Sequence, residues 1–92
     1  MIHVIAIVEH MFDPPDLTVY IGDSVCWSNL TYDVHNVVSS TPLVGGDTYE
    51  SGDIVPSDVS GFLAMLTPQV IAYRCKIHPT MVGTVRAVAR PG

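Results

Sequence analysis

Charged residues are scarce in this sequence, and basic residues are the scarcest of them. Charged residues make up 14% of the 92 residues, and four Lys and Arg stand against nine Asp and Glu, for a formal net charge of −5. An average soluble protein is roughly one-quarter charged. Because nucleic-acid-binding proteins need Lys and Arg to neutralise phosphates, this composition excludes nucleic acid as the expected partner.

Long hydrophobic runs and helical periodicity are also missing. No apolar stretch approaches the roughly 20 residues that cross a bilayer, so no membrane span is expected. The segment after Met1 is strand-like and lacks the basic start of a signal peptide. Either the protein stays in the cytoplasm, or this is a mature chain whose signal was removed. A length of 92 residues predicts one domain over residues 1–92, and a hydrophobic content of 48% indicates that it is globular.

Cysteine occurs only twice, as Cys26 and Cys75. In a secreted chain the two thiols could form a disulfide, which would favour a metal-free, immunoglobulin-like interaction domain. Cys26 alternates with the apolar Val25 and Trp27, which indicates instead a free thiol on the other face of a strand. Both interpretations stay open at this point.

The sequence does contain a series of short segments, rich in β-branched residues, in which apolar and polar residues alternate. They cover residues 2–8, 16–30 with a break at 22–23, 32–40, 59–66, 69–75 and 82–89. Such alternation is typical of half-buried strands. Residues 41–58 are rich in Gly, Pro, Asp and Ser, which predicts a long connection. The pattern predicts an all-β sandwich of seven to eight strands.

The stretch YRCKIHPTM places a thiol, an imidazole and a thioether at Cys75, His78 and Met81, three residues apart. Each alone has an ordinary explanation, as a buried cysteine, a solvated histidine or a core methionine. His35 adds a second imidazole from an otherwise apolar segment, HNVV. One thiolate, two imidazoles and a weak axial thioether are the ligands of copper electron-transfer sites.

Four other residues are expected to take no part in the chemistry. Trp27 and Tyr73 are assigned to the hydrophobic core. His3 and His10 belong to no recognisable motif, and both are expected to be ordinary surface residues.

Several segments together resemble the cupredoxins, the small blue copper proteins that include plastocyanin, pseudoazurin and amicyanin. They are MFDPPDLTVYIGDSVCWSN, HNV, YESGDIVP and YRCKIHPTMVGTV. The resemblance implies a Greek-key β-sandwich that holds one copper ion, cycling between Cu(I) and Cu(II). His35, Cys75 and His78 would be its equatorial ligands and Met81 its axial one. The neighbouring Asn36 would tie the two ligand-bearing loops together.

The resemblance also implies a function. The chain would be a monomeric type 1 copper protein that passes single electrons between larger redox partners in transient complexes. Electrons would pass through His78, inside a docking patch that includes Pro79 and Pro14. Such proteins work outside the cytoplasm, in the periplasm, the thylakoid lumen or at the cell surface. No paired carboxylates or nucleophile triad can be recognised, so no enzyme is expected. A copper carrier or storage module would use the same ligands and remains the alternative.

Overall fold

Eight strands build the protein, and the computed structural model describes residues 1–91 with no helix among them. The strands are β1 (Ile2–Val8), β2 (Met11–Asp13), β3 (Asp16–Tyr20), β4 (Ser24–Asn29), β5 (Val38–Ser39), β6 (Leu63–Ala64), β7 (Gln69–Arg74) and β8 (Val82–Val88). The expectation of an all-β sandwich is confirmed. In this described range, no helix has the length and apolarity to cross a membrane.

The strands form two four-stranded sheets, in the orders β2-β1-β4-β6 and β3-β8-β7-β5. Each sheet is mixed: β1 runs parallel to β4, and β3 runs parallel to β8, whereas the other pairs are antiparallel. Successive side chains of a strand point to opposite faces. In β8, Gly83, Val85 and Ala87 are buried while Val82 and Arg86 are exposed. The alternation in the sequence therefore does correspond to an inner and an outer face.

Aromatic rings occupy the core that both sheets line. Trp27 and Tyr73 are 1% exposed, which confirms their assignment to the core. Tyr73 meets Phe12 and Trp27 edge to face, with ring centroids 4.8 and 5.2 Å apart, and Trp27 stacks on Tyr49 at 5.6 Å. Such ring pairs add stability beyond the area that they bury. Because Tyr73 is two residues before Cys75, this packed cluster holds the strand that leads into the candidate ligand loop.

Gly83 makes room for the Tyr73 ring. The two residues are cross-strand partners in β7 and β8. A Cβ atom at Gly83 would overlap Cζ and Oη of Tyr73 and lie 2.8 Å from Cε2. The Tyr73 hydroxyl and the Trp27 indole nitrogen are buried with no hydrogen-bond partner among the described residues. Burial raises the pKa of Tyr73 to about 12, because the charged phenolate is disfavoured away from water.

Two predicted strands are much shorter in the structure, and in both places a serine hydroxyl replaces a backbone carbonyl. The strand expected over 32–40 is confined to Val38–Ser39, and Val37 N–H donates to Ser51 Oγ at 2.8 Å. The strand expected over 59–66 is confined to Leu63–Ala64, and Trp27 N–H donates to Ser60 Oγ at 2.8 Å. A side-chain acceptor offers the backbone an alternative to the regular ladder.

The expectation that His3 is an ordinary surface residue is wrong. Its Nε2 lies 2.9 Å from Oδ2 of Asp23, a carboxylate that is 1% exposed. Asp23 also accepts hydrogen bonds from Tyr20 N–H at 3.1 Å and from Arg90 at 3.0 Å. The hydrogen bond from His3 foremost, then those from the N-terminal ammonium group and Tyr20 N–H, hold the pKa of Asp23 well below its usual range. His10 is exposed, as expected.

Candidate metal centre

The loop between β7 and β8 brings three potential ligands to one end of the sandwich. Cys75 follows the last residue of β7, and Met81 precedes the first residue of β8. Cys75 N–H donates to the carbonyl of Met81 at 3.0 Å, and Met81 N–H donates to the carbonyl of His78 at 2.9 Å. The two strands are already paired, so these bonds close a short loop whose shape is fixed at both ends.

His35 reaches the same place from a distant part of the sequence. It forms an isolated bridge with Ile54, in which His35 N–H donates at 3.2 Å and Ile54 N–H donates back at 2.7 Å. The side chain is 4% exposed. Burial, followed by the nearby His78, lowers the pKa of the His35 imidazole. The neutral ring that a metal requires is therefore favoured there.

The donor atoms of Cys75, His35 and His78 lie within 4.8 Å of one another. Cys75 Sγ is 3.6 Å from His35 Nδ1 and 3.8 Å from His78 Nδ1. A first-row ion bonded to sulfur at about 2.3 Å and to nitrogen at about 2.0–2.1 Å, with angles between tetrahedral and trigonal, separates those atoms by about 3.6–3.8 Å. The two sulfur-to-nitrogen distances are therefore those that one shared metal ion would need.

The fourth predicted ligand, Met81, is 3% exposed. It lines, together with His35 and His78, a cavity of about 190 Å³ whose rim includes Glu9, His10, Tyr32 and Asp33. Cys75 is fully buried, whereas His78 is only partly buried. The protein therefore shields the cluster from solvent except beside His78.

A thiolate, two imidazoles and a thioether gathered in one place fit a type 1 copper ion better than they fit hard, oxygen-seeking cations.

Asn36 lies at the junction of the two ligand-bearing segments and is 7% exposed. Its Oδ1 accepts a hydrogen bond from Lys76 N–H at 2.8 Å and lies 3.7 Å from Cys75 Sγ. Its Nδ2 donates to Oδ1 of Asp53 at 3.3 Å. The sequence alone gives no sign of a role for Asp53, because only the pairing of the folded chain brings it here.

The two predicted docking prolines differ in their surroundings. Pro79 is exposed and follows His78 directly, beside Ile77, which is 51% exposed. Pro14 is partly buried between β2 and β3 and is not among the residues that line the cavity.

Both cysteines are free and buried. Cys75 faces the imidazoles, and Cys26 lies in β4, where burial raises the pKa of its thiol. The disulfide-stapled interaction domain, left open by the sequence, is therefore contradicted by the structure.

No protein-family model matches the chain, and no curated protein matches it in sequence. Solved structures do match. Among them are the Cu(I) form, an oxidised form and a reduced form of three amicyanin mutants, each with 26% identity and a TM-score of 0.86. In each case the alignment covers 94% of this chain and 81% of the other. The chain is thus similar over nearly its whole length to proteins whose structures were solved in defined redox states.

Proposed function

This chain is a cupredoxin, and we propose that it shuttles single electrons between larger redox proteins through one copper ion that cycles between Cu(I) and Cu(II). The observation that carries the proposal is the cluster of Cys75 Sγ with two imidazole nitrogens at 3.6 and 3.8 Å. Thiolate–imidazole sites of this composition are blue-copper electron-transfer sites. The alternative interpretation is that the same ligands serve a copper carrier or store.

His35, Cys75 and His78 would hold the metal, and Met81 would be a further, weaker ligand. Copper supplies reversible one-electron chemistry when it is bound. The contribution of the protein is to present a buried cysteine sulfur and two imidazoles before any metal arrives. The distances from the Cys75 sulfur to the two imidazole nitrogens already suit a shared ion.

A stiff ligand frame supports the shuttle function. Cu(I) and Cu(II) prefer different geometries, and a frame that yields to neither lowers the reorganisation that accompanies each electron transfer. The ligand loop is closed by the Cys75–Met81 backbone hydrogen bond and backed by the buried Tyr73 ring. Protein interiors are packed as densely as organic crystals and resist deformation. Asn36 adds a direct link between the His35 and Cys75 segments.

The route for electrons would be His78, the least covered of the three clustered ligands. Exposed Ile77 and Pro79 flank it, and we include Pro14 in the same docking patch. Complexes between redox proteins are small and short-lived, so a shallow apolar patch is sufficient. We propose that the chain acts as a monomer and as one domain.

Family membership supports two further parts of the proposal. Cupredoxins are in general electron-transfer proteins and not enzymes, so we assign no catalytic reaction to this chain. Amicyanin-like cupredoxins work outside the cytoplasm, where copper is less scarce than in the cytosol. We therefore propose an extracytoplasmic location.

The proposal is tested by adding Cu(II) to the reduced, metal-free protein and recording the visible spectrum. An intense blue band that saturates at one copper per chain is expected, and the Cys26→Ser variant should give the same band. A pale spectrum that does not saturate would refute a copper–thiolate site. Electron self-exchange between the oxidised and reduced forms then separates the two roles. Fast exchange supports the shuttle, whereas slow exchange with ready release of copper supports the carrier.

A further inference from the structure

The segment 50–54 runs alongside the segment that carries His35, and its register slips by one residue. Val38 bridges Glu50, so a regular antiparallel ladder would place His35 opposite residue 53. His35 instead bridges Ile54. One additional residue therefore lies in the 51–53 segment, opposite Asn36 and Val37. An additional residue in one strand of a pair is a β-bulge.

Gly52 is the residue that makes this bulge possible. Its φ of +73° lies in the left-handed region, which glycine adopts without steric cost. The residues that flank the bulge, Ser51 and Ile54, remain paired. Ser51 N–H donates to the carbonyl of Val37 at 2.9 Å, and Ile54 exchanges hydrogen bonds with His35. Bulges often occur next to functional sites, where they redirect a side chain.

The side chain that this bulge redirects is Asp53. Its Oδ1 accepts the hydrogen bond from Nδ2 of Asn36 at 3.3 Å. The opposite end of the same amide accepts Lys76 N–H at 2.8 Å and lies 3.7 Å from Cys75 Sγ. A carboxylate can only accept this bond, whereas the Asn36 amide could present either its oxygen or its nitrogen. Asp53 therefore selects the orientation in which the Asn36 oxygen faces Lys76 N–H.

We propose that Asp53, presented by the Gly52 bulge, is a positioning residue for the metal centre that acts through Asn36. It fixes the amide orientation that joins the His35 segment to the backbone beside Cys75. Groups one step removed from a metal orient its ligands and tune its properties. The copper readouts below rest on the proposed function, whereas the hydrogen-exchange readout does not.

A neighbouring carboxylate provides a matched control. Glu50 lines the same small cavity as Asn36, Asp53 and Lys76. The structure shows no hydrogen bond from Asn36 to Glu50 among the described residues. Removing either carboxylate takes one negative charge from this cavity, but only the change at Asp53 removes a partner of Asn36. The comparison therefore separates positioning from the effect of charge.

The test measures exchange of the Lys76 backbone amide hydrogen by NMR in the full chain, first loaded with Cu(I) and then without metal. For Asp53→Ala we expect exchange about tenfold faster than in the parent, because the Asn36 oxygen is no longer held in place. Asp53→Asn keeps an oxygen that can accept the bond, so we expect a change of less than about threefold. Glu50→Ala should leave the Lys76 rate unchanged.

The copper-loaded variants supply a second readout. Asp53→Ala should alter the blue band and the reduction potential more than Glu50→Ala does, and Asp53→Asn should restore the parent band. The positioning role is overturned if Lys76 exchange in Asp53→Ala stays within twofold of the parent. It is also overturned if Glu50→Ala accelerates exchange equally. A parent protein that never turns blue would refute the proposed function, while the exchange rates would still decide the role of Asp53.

Discussion

Replacing Gly83 by alanine should destabilise the protein, although alanine is ordinarily the better residue inside a strand. Glycine loses more backbone freedom than alanine when the chain folds, so without a steric conflict alanine is favoured by roughly 0.5–1 kcal/mol. At Gly83 the added Cβ would overlap Cζ and Oη of Tyr73. The ring cannot move aside easily, because Phe12 and Trp27 contact it at centroid distances of 4.8 and 5.2 Å.

The size of the effect follows from the cost of overpacking a dense core, which is about 2 kcal/mol. In a domain of this length such a loss lowers the melting temperature by roughly 8–16 °C. The measurement is thermal unfolding of metal-free Gly83→Ala by circular dichroism. Gly61→Ala is the control, because nothing lies within 4 Å of a Cβ at Gly61, and we expect no loss of stability there.

A double mutant shows whether Tyr73 is the cause. In a Tyr73→Leu background the obstructing ring is gone, so Gly83→Ala should cost at least about 1 kcal/mol less than it does in the parent. A Gly83→Ala protein that melts within about 2 °C of the parent, or a cost that is the same in both backgrounds, would refute the steric argument.

Three other predictions concern single side chains. Cys75→Ser should abolish the blue band on addition of Cu(II) while leaving the far-ultraviolet circular dichroism unchanged; a retained band would exclude Cys75 as the thiolate ligand. The stability of the parent should fall as the pH rises from the ordinary tyrosine pKa of 10.0 to about 12, because the buried Tyr73 stays neutral after its unfolded counterpart ionises. Tyr73→Phe should remove that part of the pH dependence in alkaline urea melts, and equal slopes in the two proteins would contradict it. Asp23→Asn should lower stability at neutral pH, because Asp23 has a lowered pKa and accepts hydrogen bonds from His3 and Arg90. The difference in stability from the parent should shrink as the pH falls below the ordinary aspartate pKa of 3.8. Urea melts over an acid pH series measure this difference, and a difference that stays constant would contradict the prediction.

The metal cluster could be predicted from sequence largely because its chemistry is local. Cys75, His78 and Met81 lie in one short loop, so their spacing survives any arrangement of the sheets. His35 could be recognised because it is an imidazole within an otherwise apolar segment. The strands that alternate cleanly, such as β8, were likewise predicted correctly, since the pattern of one strand depends on a single buried face.

Features that depend on pairing between distant segments could not be predicted in this way. Asp53 looks like any polar residue of a Gly-rich connection, and only the register slip beside Asn36 gives it a partner. The same holds for His3, whose partner Asp23 is 20 residues away. The predicted strands around Val38 and Leu63 were too long because serine hydroxyls satisfy the backbone there. The alternation of apolar and polar residues does not show where a serine hydroxyl will accept a hydrogen bond in place of a backbone carbonyl.

The parallel pairing of β3 with β8 has a consequence for the order in which the molecule can be assembled. β3 spans Asp16–Tyr20, and its partner spans Val82–Val88. During synthesis a chain emerges from the ribosome N-terminus first, at about 5–20 residues per second. β3 therefore emerges several seconds before the strand that it pairs with, and contacts between such distant segments form slowly. The sheet that supports Cys75 cannot close until the whole ligand loop has been made. The Cys75 thiol is therefore made before the strand that completes the sheet around it.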